Sequence, residues 1–139
     1  LRRLADETGR TGEPVMRQRL GDAYARERIQ DFLGWRMQTY VMHGRGEPPD
    51  PSVLKNFNTA SNERRADLGL ELQRAGGMLA GADAADGGLW QTFEVSQFAS
   101  RIGGGTNEVH RNMIAERALG LPREIQVDKD LPWRDIVKA

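Results

Sequence analysis

Apolar residues recur at steps of three and four over residues 14–43. Met16, Leu20, Ala23, Tyr24, Ile29, Phe32, Leu33, Met37, Tyr40 and Val41 fall on one stripe of a long helix. Arg17, Arg19, Asp22, Arg26, Glu27 and Asp31 fall mostly off that stripe. Glu13-Pro14 opens the helix, with proline tolerated in the first turn, and Gly44 to Pro49 ends it. Asp50-Pro51 predicts an N-cap and a second long helix carrying Val53, Leu54, Phe57, Ala60, Leu68 and Leu72, running to about Arg74. Ahead of both, Leu1 to Glu7 reads as the last turns of a helix begun earlier, so the chain is expected to be a fragment or a processed subunit. Beyond them, Gly76-Gly77 and the stretch Gly81 to Gly88 predict a loop, followed by a short helical piece with Leu89, Trp90, Phe93 and Phe98. Gly103-Gly104-Gly105 is a second break. Thr106 then caps a last helix containing Val109, Met113, Ile114 and Leu119, which Gly120-Leu121-Pro122 stops.

No strand-like alternation and no internal repeat interrupts this pattern. Each predicted helix has one apolar stripe to bury, so the expected fold class is all-α, an up-down four-helix bundle with two long helices and one or two shorter ones. Residues 1–124 form the bundle domain. Residues 125–139 form a tail of mixed character, with Leu131, Trp133, Ile136 and Val137 among its apolar residues, that is expected to dock loosely. The 139 residues suit one domain. Twenty basic and twenty acidic residues cancel, which removes the basic excess expected of a nucleic-acid binder. No apolar run approaches the ~20 residues needed to span a bilayer, and the absence of cysteine excludes disulfides and thiolate chemistry. A soluble, cytoplasmic protein fits this composition.

The candidate chemistry lies at Arg101-Ile102-Gly103-Gly104-Gly105-Thr106-Asn107-Glu108. Three glycines let the backbone approach a ligand and adopt positive φ, and the following helix start offers unpaired N–H groups to a phosphate or carbonyl. Thr106 is expected either to cap the helix or to donate to a ligand oxygen, one hydroxyl hydrogen not serving both. Taken alone, the same run also describes a plain hinge.

The run from Gly104-Gly105-Thr106-Asn107-Glu108-Val109-His110-Arg111-Asn112-Met113-Ile114 to Ala115-Glu116-Arg117-Ala118-Leu119-Gly120-Leu121-Pro122-Arg123-Glu124 closely resembles the closing signature of the acyl-CoA dehydrogenases. Gln73-Arg74-Ala75-Gly76-Gly77 resembles that family's Q-x-x-G-G turn, and Pro14 to Leu20 resembles the start of a bundle helix. The resemblance implies the C-terminal helical bundle of an enzyme that oxidises an acyl-CoA thioester to the trans-2-enoyl-CoA with FAD. It implies Thr106, Asn107 and Glu108 at the phosphate and ribose region of the flavin, and Gly105 beside the acyl-CoA substrate. Gln73, Gly76 and Gly77 would meet the adenine or ribose of a flavin held mainly by an adjacent subunit, unless Gln73 satisfies a loop carbonyl and Gly76-Gly77 is a helix C-cap. Implied partners are an electron-transfer protein and further subunits, as a homodimer, a homotetramer or a hetero-oligomer with a catalytic subunit.

One departure is chemical. Many family members carry the catalytic glutamate at the position of Gly104, so no catalytic residue is assigned in this chain. The base then lies on an earlier helix outside it, or the chain belongs to a non-catalytic scaffold or assembly subunit. The remaining residues have plain expectations. His43 caps or faces solvent, and His110 is a surface or interface residue rather than a base. Trp35, Trp90 and Trp133 pack, and Glu63, Arg64, Arg65 and Asp67 form a solvated face. No spacing of ligating residues suggests a metal.

Overall fold

In the computed structural model, which describes residues 1–44, 50–123 and 131–132, Asp50 caps a helix by accepting the Ser52 N–H at 2.7 Å. That helix, α3 (Pro51–Leu72), is the axis of the fold. It packs against the short α1 (Arg2–Glu7), the long α2 (Pro14–His43), α4 (Leu89–Ile102) and α5 (Asn107–Met113). The fold is all-α, and no strand occurs among the described residues. Leu4 and Ala5 of α1, Met16 of α2, Leu68 and Leu72 of α3 and Trp90 of α4 form the core, with Leu20, Ala23 and Phe93 half-buried around it.

The Trp90 indole lies flat on the backbone of α3 at Gly69. A Cβ built there would stand 2.1 Å from the ring. Glycine costs about 1 kcal/mol against alanine inside a helix. Its presence at this position is explained by that contact.

Several expectations need correction. The α2 stripe is helical as predicted, but within this chain only Met16 of it is buried. Tyr24, Ile29, Phe32, Trp35 and Val41 are exposed. At 1.5 Å per residue, the 30 residues of α2 span about 45 Å against about 33 Å for the 22 of α3. The far end of α2 therefore outreaches its neighbour. Trp35 lies edge-on to Phe32 at a ring separation of 5.4 Å but is more than half exposed, so it does not pack into the core as expected; Trp133 lies outside the described residues. On α3, Val53 is exposed, and the buried face of its first half is made of small polar residues, Ser52, Thr59 and Ser61, which admit close neighbours.

Helix α3 stops at Leu72, and the left-handed residue that follows is Arg74 (φ 54°), not Gly76 or Gly77. The Gly76-Gly77 pair is therefore not a C-cap. The expected loop is a series of 3₁₀ turns at Arg74–Met78, Gly81–Asp83 and Ala85–Gly88. The expected short piece at Leu89 is a 14-residue helix. The last helix is α-helical only to Met113 and continues as a π-turn over Ile114–Ala118, closed by Leu119 N–H to the Ile114 carbonyl at 3.1 Å. The 125–139 tail lies almost wholly outside the described residues.

Glu13 ties the start of α2 to the end of α3. It accepts from Arg10 at 2.8 Å and from Arg74 at 2.9 Å, while Arg10 also donates to the Glu71 carbonyl. Chiefly through the Arg10 hydrogen bond, and then through Arg74, the Glu13 carboxyl is lowered to about 2. A depressed folded-state value stabilises above the unfolded value of about 4.3, and that stability is lost as pH falls toward the folded value. Glu13→Gln should thus lower the melting temperature at pH 7, and the difference from wild type should shrink below about pH 4 and vanish near pH 2. Thermal melts across that range check it. A difference that does not change with pH would remove the Glu13 carboxylate from the account.

Candidate functional site

The glycine turn is built between two helix ends. The last carbonyls of α4 end at Gly103, whose N–H bonds Ala99 at 2.8 Å. Gly104 and Gly105 then take φ +71° and +102°, conformations costly to any residue with a Cβ. Thr106 follows in extended conformation and caps α5, its Oγ1 accepting the Val109 N–H at 3.3 Å.

Two side chains hold the turn from beneath. The Lys55 ammonium, half-buried on α3, donates to the Gly105 carbonyl at 2.7 Å, to Asn107 Oδ1 at 3.0 Å and, at 3.4 Å, to the Arg101 carbonyl. Thr59, one turn along α3, donates to the same Asn107 oxygen at 2.9 Å. On the other side, His110 Nε2 lies 2.9 Å from the Gly104 carbonyl, which fixes that nitrogen as the protonated one if the bond is made to an acceptor. The bonds are trans, and in a trans peptide N–H points opposite to C=O. Pinning the carbonyls of Gly104 and Gly105 therefore aims the N–H groups of Gly105 and Thr106 away from His110 and Lys55. Neither N–H finds a backbone acceptor among the described residues.

A cavity of about 250 Å³ borders the turn, lined by Phe98, Arg101, Ile102, Thr106, Asn107 and Glu108. Two apolar side chains, a guanidinium paired with Glu63 at 3.0 Å, a hydroxyl and a carboxylate thus meet in one place. The Glu108 carboxyl is held below its ordinary value, first by its own backbone N–H and then by the Thr106 hydroxyl, so it is charged at neutral pH. Thr106 corrects an expectation: as a cap its oxygen accepts, so its one hydrogen is not spent on the cap and serves either the Glu108 carboxylate or a ligand oxygen.

Of the residues singled out in the sequence, Gly105, Thr106, Asn107 and Glu108 come together here. Asn107 is buried, and its carboxamide oxygen is engaged internally by Lys55 and Thr59. Gln73, Gly76 and Gly77 form a separate group beyond α3. Gln73 donates to the Gly69 carbonyl at 3.0 Å, and Gln91 donates to Gln73 Oε1 at 3.2 Å and to the Gly77 carbonyl at 3.3 Å. A Cβ on Gly77 would meet the Leu70 carbonyl at 2.8 Å, so close approach explains that glycine. His110 is half-buried under the turn and is not simply a surface residue. The expected solvated face is also partly engaged, through Glu63 with Arg101 and Arg64 with Asp22. Gly104 has open space around a Cβ but a left-handed φ. No cluster of metal-ligating side chains and no membrane-crossing helix occurs among the described residues.

Sequence reasoning missed Lys55 and Thr59. One signal was present: Lys55 is the only lysine before residue 124 in a chain that otherwise uses arginine, and a compact ammonium suits three converging carbonyl oxygens where a planar guanidinium does not.

A family model described as acyl-CoA dehydrogenase, C-terminal domain, matches residues 2–119. The acyl-CoA dehydrogenase IpdE1 of Mycolicibacterium smegmatis is 30% identical over 126 residues, covering 88% of this chain and 30% of the relative. Its Mycobacterium tuberculosis namesake is 31% identical over 121 residues, covering 87% and 30%. The chain thus spans about 30% of the length of these relatives. Among solved structures, the ChsE4-ChsE5 complex from Mycobacterium tuberculosis is 25% identical with a TM-score of 0.70, covering 81% of this chain and 30% of that one. The Tcur3481-Tcur3483 steroid ACAD, 24% identical with a TM-score of 0.76 over 88% of this chain and 34% of that one, shares the fold.

Proposed function

The chain belongs to the acyl-CoA dehydrogenases, as their C-terminal helical domain, and from that premise we propose that it contributes one wall of an FAD and acyl-CoA site in an enzyme that oxidises acyl-CoA thioesters at the α,β bond. The observation that carries this reading is the pinned glycine turn, with two outward N–H groups and the Thr106 hydroxyl beside the cavity at Phe98 and Ile102.

These residues fit part of a flavin nucleotide. A cavity of about 250 Å³ is smaller than the sites of several hundred Å³ that enclose drug-sized ligands, so this domain supplies contacts and not the whole enclosure. The Thr106 hydroxyl and the free N–H groups suit a phosphate or carbonyl oxygen. The seven-residue α5 has little macrodipole, so the individual hydrogen bonds matter more. The charged Glu108 suits a ribose or ribityl hydroxyl and would repel a pyrophosphate placed against it. Gln73, with Gly76 and Gly77, is a second contact region, for the flavin of a neighbouring subunit. FAD, when bound, accepts the hydride that leaves Cβ. Gly104 has no side chain to take the Cα proton, so the base comes from outside this chain.

Dye-coupled oxidation of straight-chain, branched and ring-bearing acyl-CoA thioesters by the whole protein tests this reading. Turnover of at least one class supports it, with residues 1–139 alone giving none. A second reading, a non-catalytic assembly subunit, is favoured by Gly104 itself. Turnover that appears only after a second subunit is added would establish that alternative.

Assembly follows from α2. Ile29, Phe32, Trp35, Val41 and Met42 leave an apolar surface uncovered along its far half, and large uncovered patches drive association. Residues 1–139 purified alone should scatter light as a dimer or larger at micromolar concentration, and the double variant Phe32→Glu, Trp35→Glu should scatter as a monomer. A wild-type monomer would contradict this role for α2.

A further inference from the structure

We propose that Lys55 is a positioning residue of this site. Its ammonium fixes the glycine turn in the one shape that presents the Gly105 and Thr106 N–H groups to a ligand. The inference rests on the functional reading above. Lys55 does not itself line the cavity; it acts through the Gly105 carbonyl and the Asn107 carboxamide. Its three donors match three acceptors drawn from the end of α4, the turn and the start of α5. No other described side chain joins those three segments to α3 in this way. The charge needs no carboxylate partner, because it sits among carbonyl oxygens at the negative end of α4.

The alternative source of the turn's shape is the chain itself. Gly103, Gly104 and Gly105 have wide conformational freedom, so the bare sequence would sample many turns, and positive φ at Gly104 and Gly105 is permitted without being enforced. Enforcement comes from outside the turn, at Lys55 and His110. The two differ in what they fix. His110 bonds Gly104 from six residues away on the adjoining helix, so it moves with α5. Lys55 reaches across 50 residues of sequence and ties the turn to the axis of the fold.

The test uses the whole flavin-loaded protein with Lys55→Met and Lys55→Arg, reading amide hydrogen exchange and flavin retention after dialysis. Lys55→Met is expected to speed exchange at Gly105 to Asn107 by about tenfold or more, leaving the α3 core amides at Leu68 to Leu72 unchanged, and to weaken flavin retention by about tenfold. Lys55→Arg keeps the charge, but its planar guanidinium cannot meet the three converging oxygens together, so it is expected to restore only part of both. If Lys55→Met does not fold, Asn107→Ala removes one acceptor and is expected to give the same local acceleration. Exchange that rises uniformly through α3, or stays unchanged at the turn, overturns the proposal. Faster exchange with full flavin retention overturns the positioning role and leaves the functional reading standing. A wild-type protein that retains no flavin overturns both.

Discussion

Gly69→Ala should destabilise the domain by about 1–3 kcal/mol, although it replaces the poorest helix former short of proline with the best. The added methyl would enter the face of the Trp90 indole, at 2.1 to 2.8 Å from three ring carbons. Trp90 is 9% exposed and sits among Leu68, Leu72 and Leu4, so the ring cannot withdraw without opening the core. The helix-propensity gain of about 1 kcal/mol is smaller than the cost of moving a packed indole. Gly34 of α2 provides the contrast, since nothing lies within 4 Å of a Cβ there. Gly34→Ala should raise stability by up to about 1 kcal/mol. Urea midpoints for both variants decide the matter. Equal stabilisation by the two substitutions would mean that Trp90 does not rest on α3.

Thr106→Ala should weaken flavin retention in the whole protein by roughly ten- to a hundredfold. A hydrogen bond to a charged group contributes about 1.5–3 kcal/mol, and each 1.4 kcal/mol is tenfold. The same substitution removes the cap on the Val109 N–H, at a cost of about 1 kcal/mol to α5. Thr106→Ser separates these effects from loss of the methyl, because it keeps an oxygen to accept and a hydrogen to donate. The serine variant should retain flavin nearly as wild type does. Loss of flavin in Thr106→Ser equal to that in Thr106→Ala would assign the effect to packing of the methyl group.

The helices were legible wherever a local signal decided them. Asp50-Pro51, Pro14 and Thr106 start helices as their capping chemistry predicts, and apolar periodicity gave the extent of α2. Periodicity does not say what covers a stripe, and so the exposure of Phe32 and Trp35 was not legible. Nor was the stop after Leu72. Arg74 takes a left-handed φ while its guanidinium pairs with Glu13, 61 residues away. At the site, the glycine turn was legible from its composition. Its anchors were not, because Lys55 and His110 act on backbone carbonyls and leave no pattern between the partners in sequence. Nor was it legible that Asn107, which lines the cavity, also bonds to α3 through its carboxamide oxygen.

The central claim is that the turn at Gly104 to Thr106 forms part of a flavin site. It is tested most directly by bound-flavin absorbance per chain in the whole protein, measured after dialysis for the wild type and for Gly105→Val. A valine at φ +102° is strained, and its Cβ would meet His110 Nε2 at 3.2 Å. The account predicts flavin retained by the wild type and lost from the variant, with the α-helical circular dichroism of the two alike. Full retention of flavin by a folded Gly105→Val protein, or none in the wild type, would contradict it.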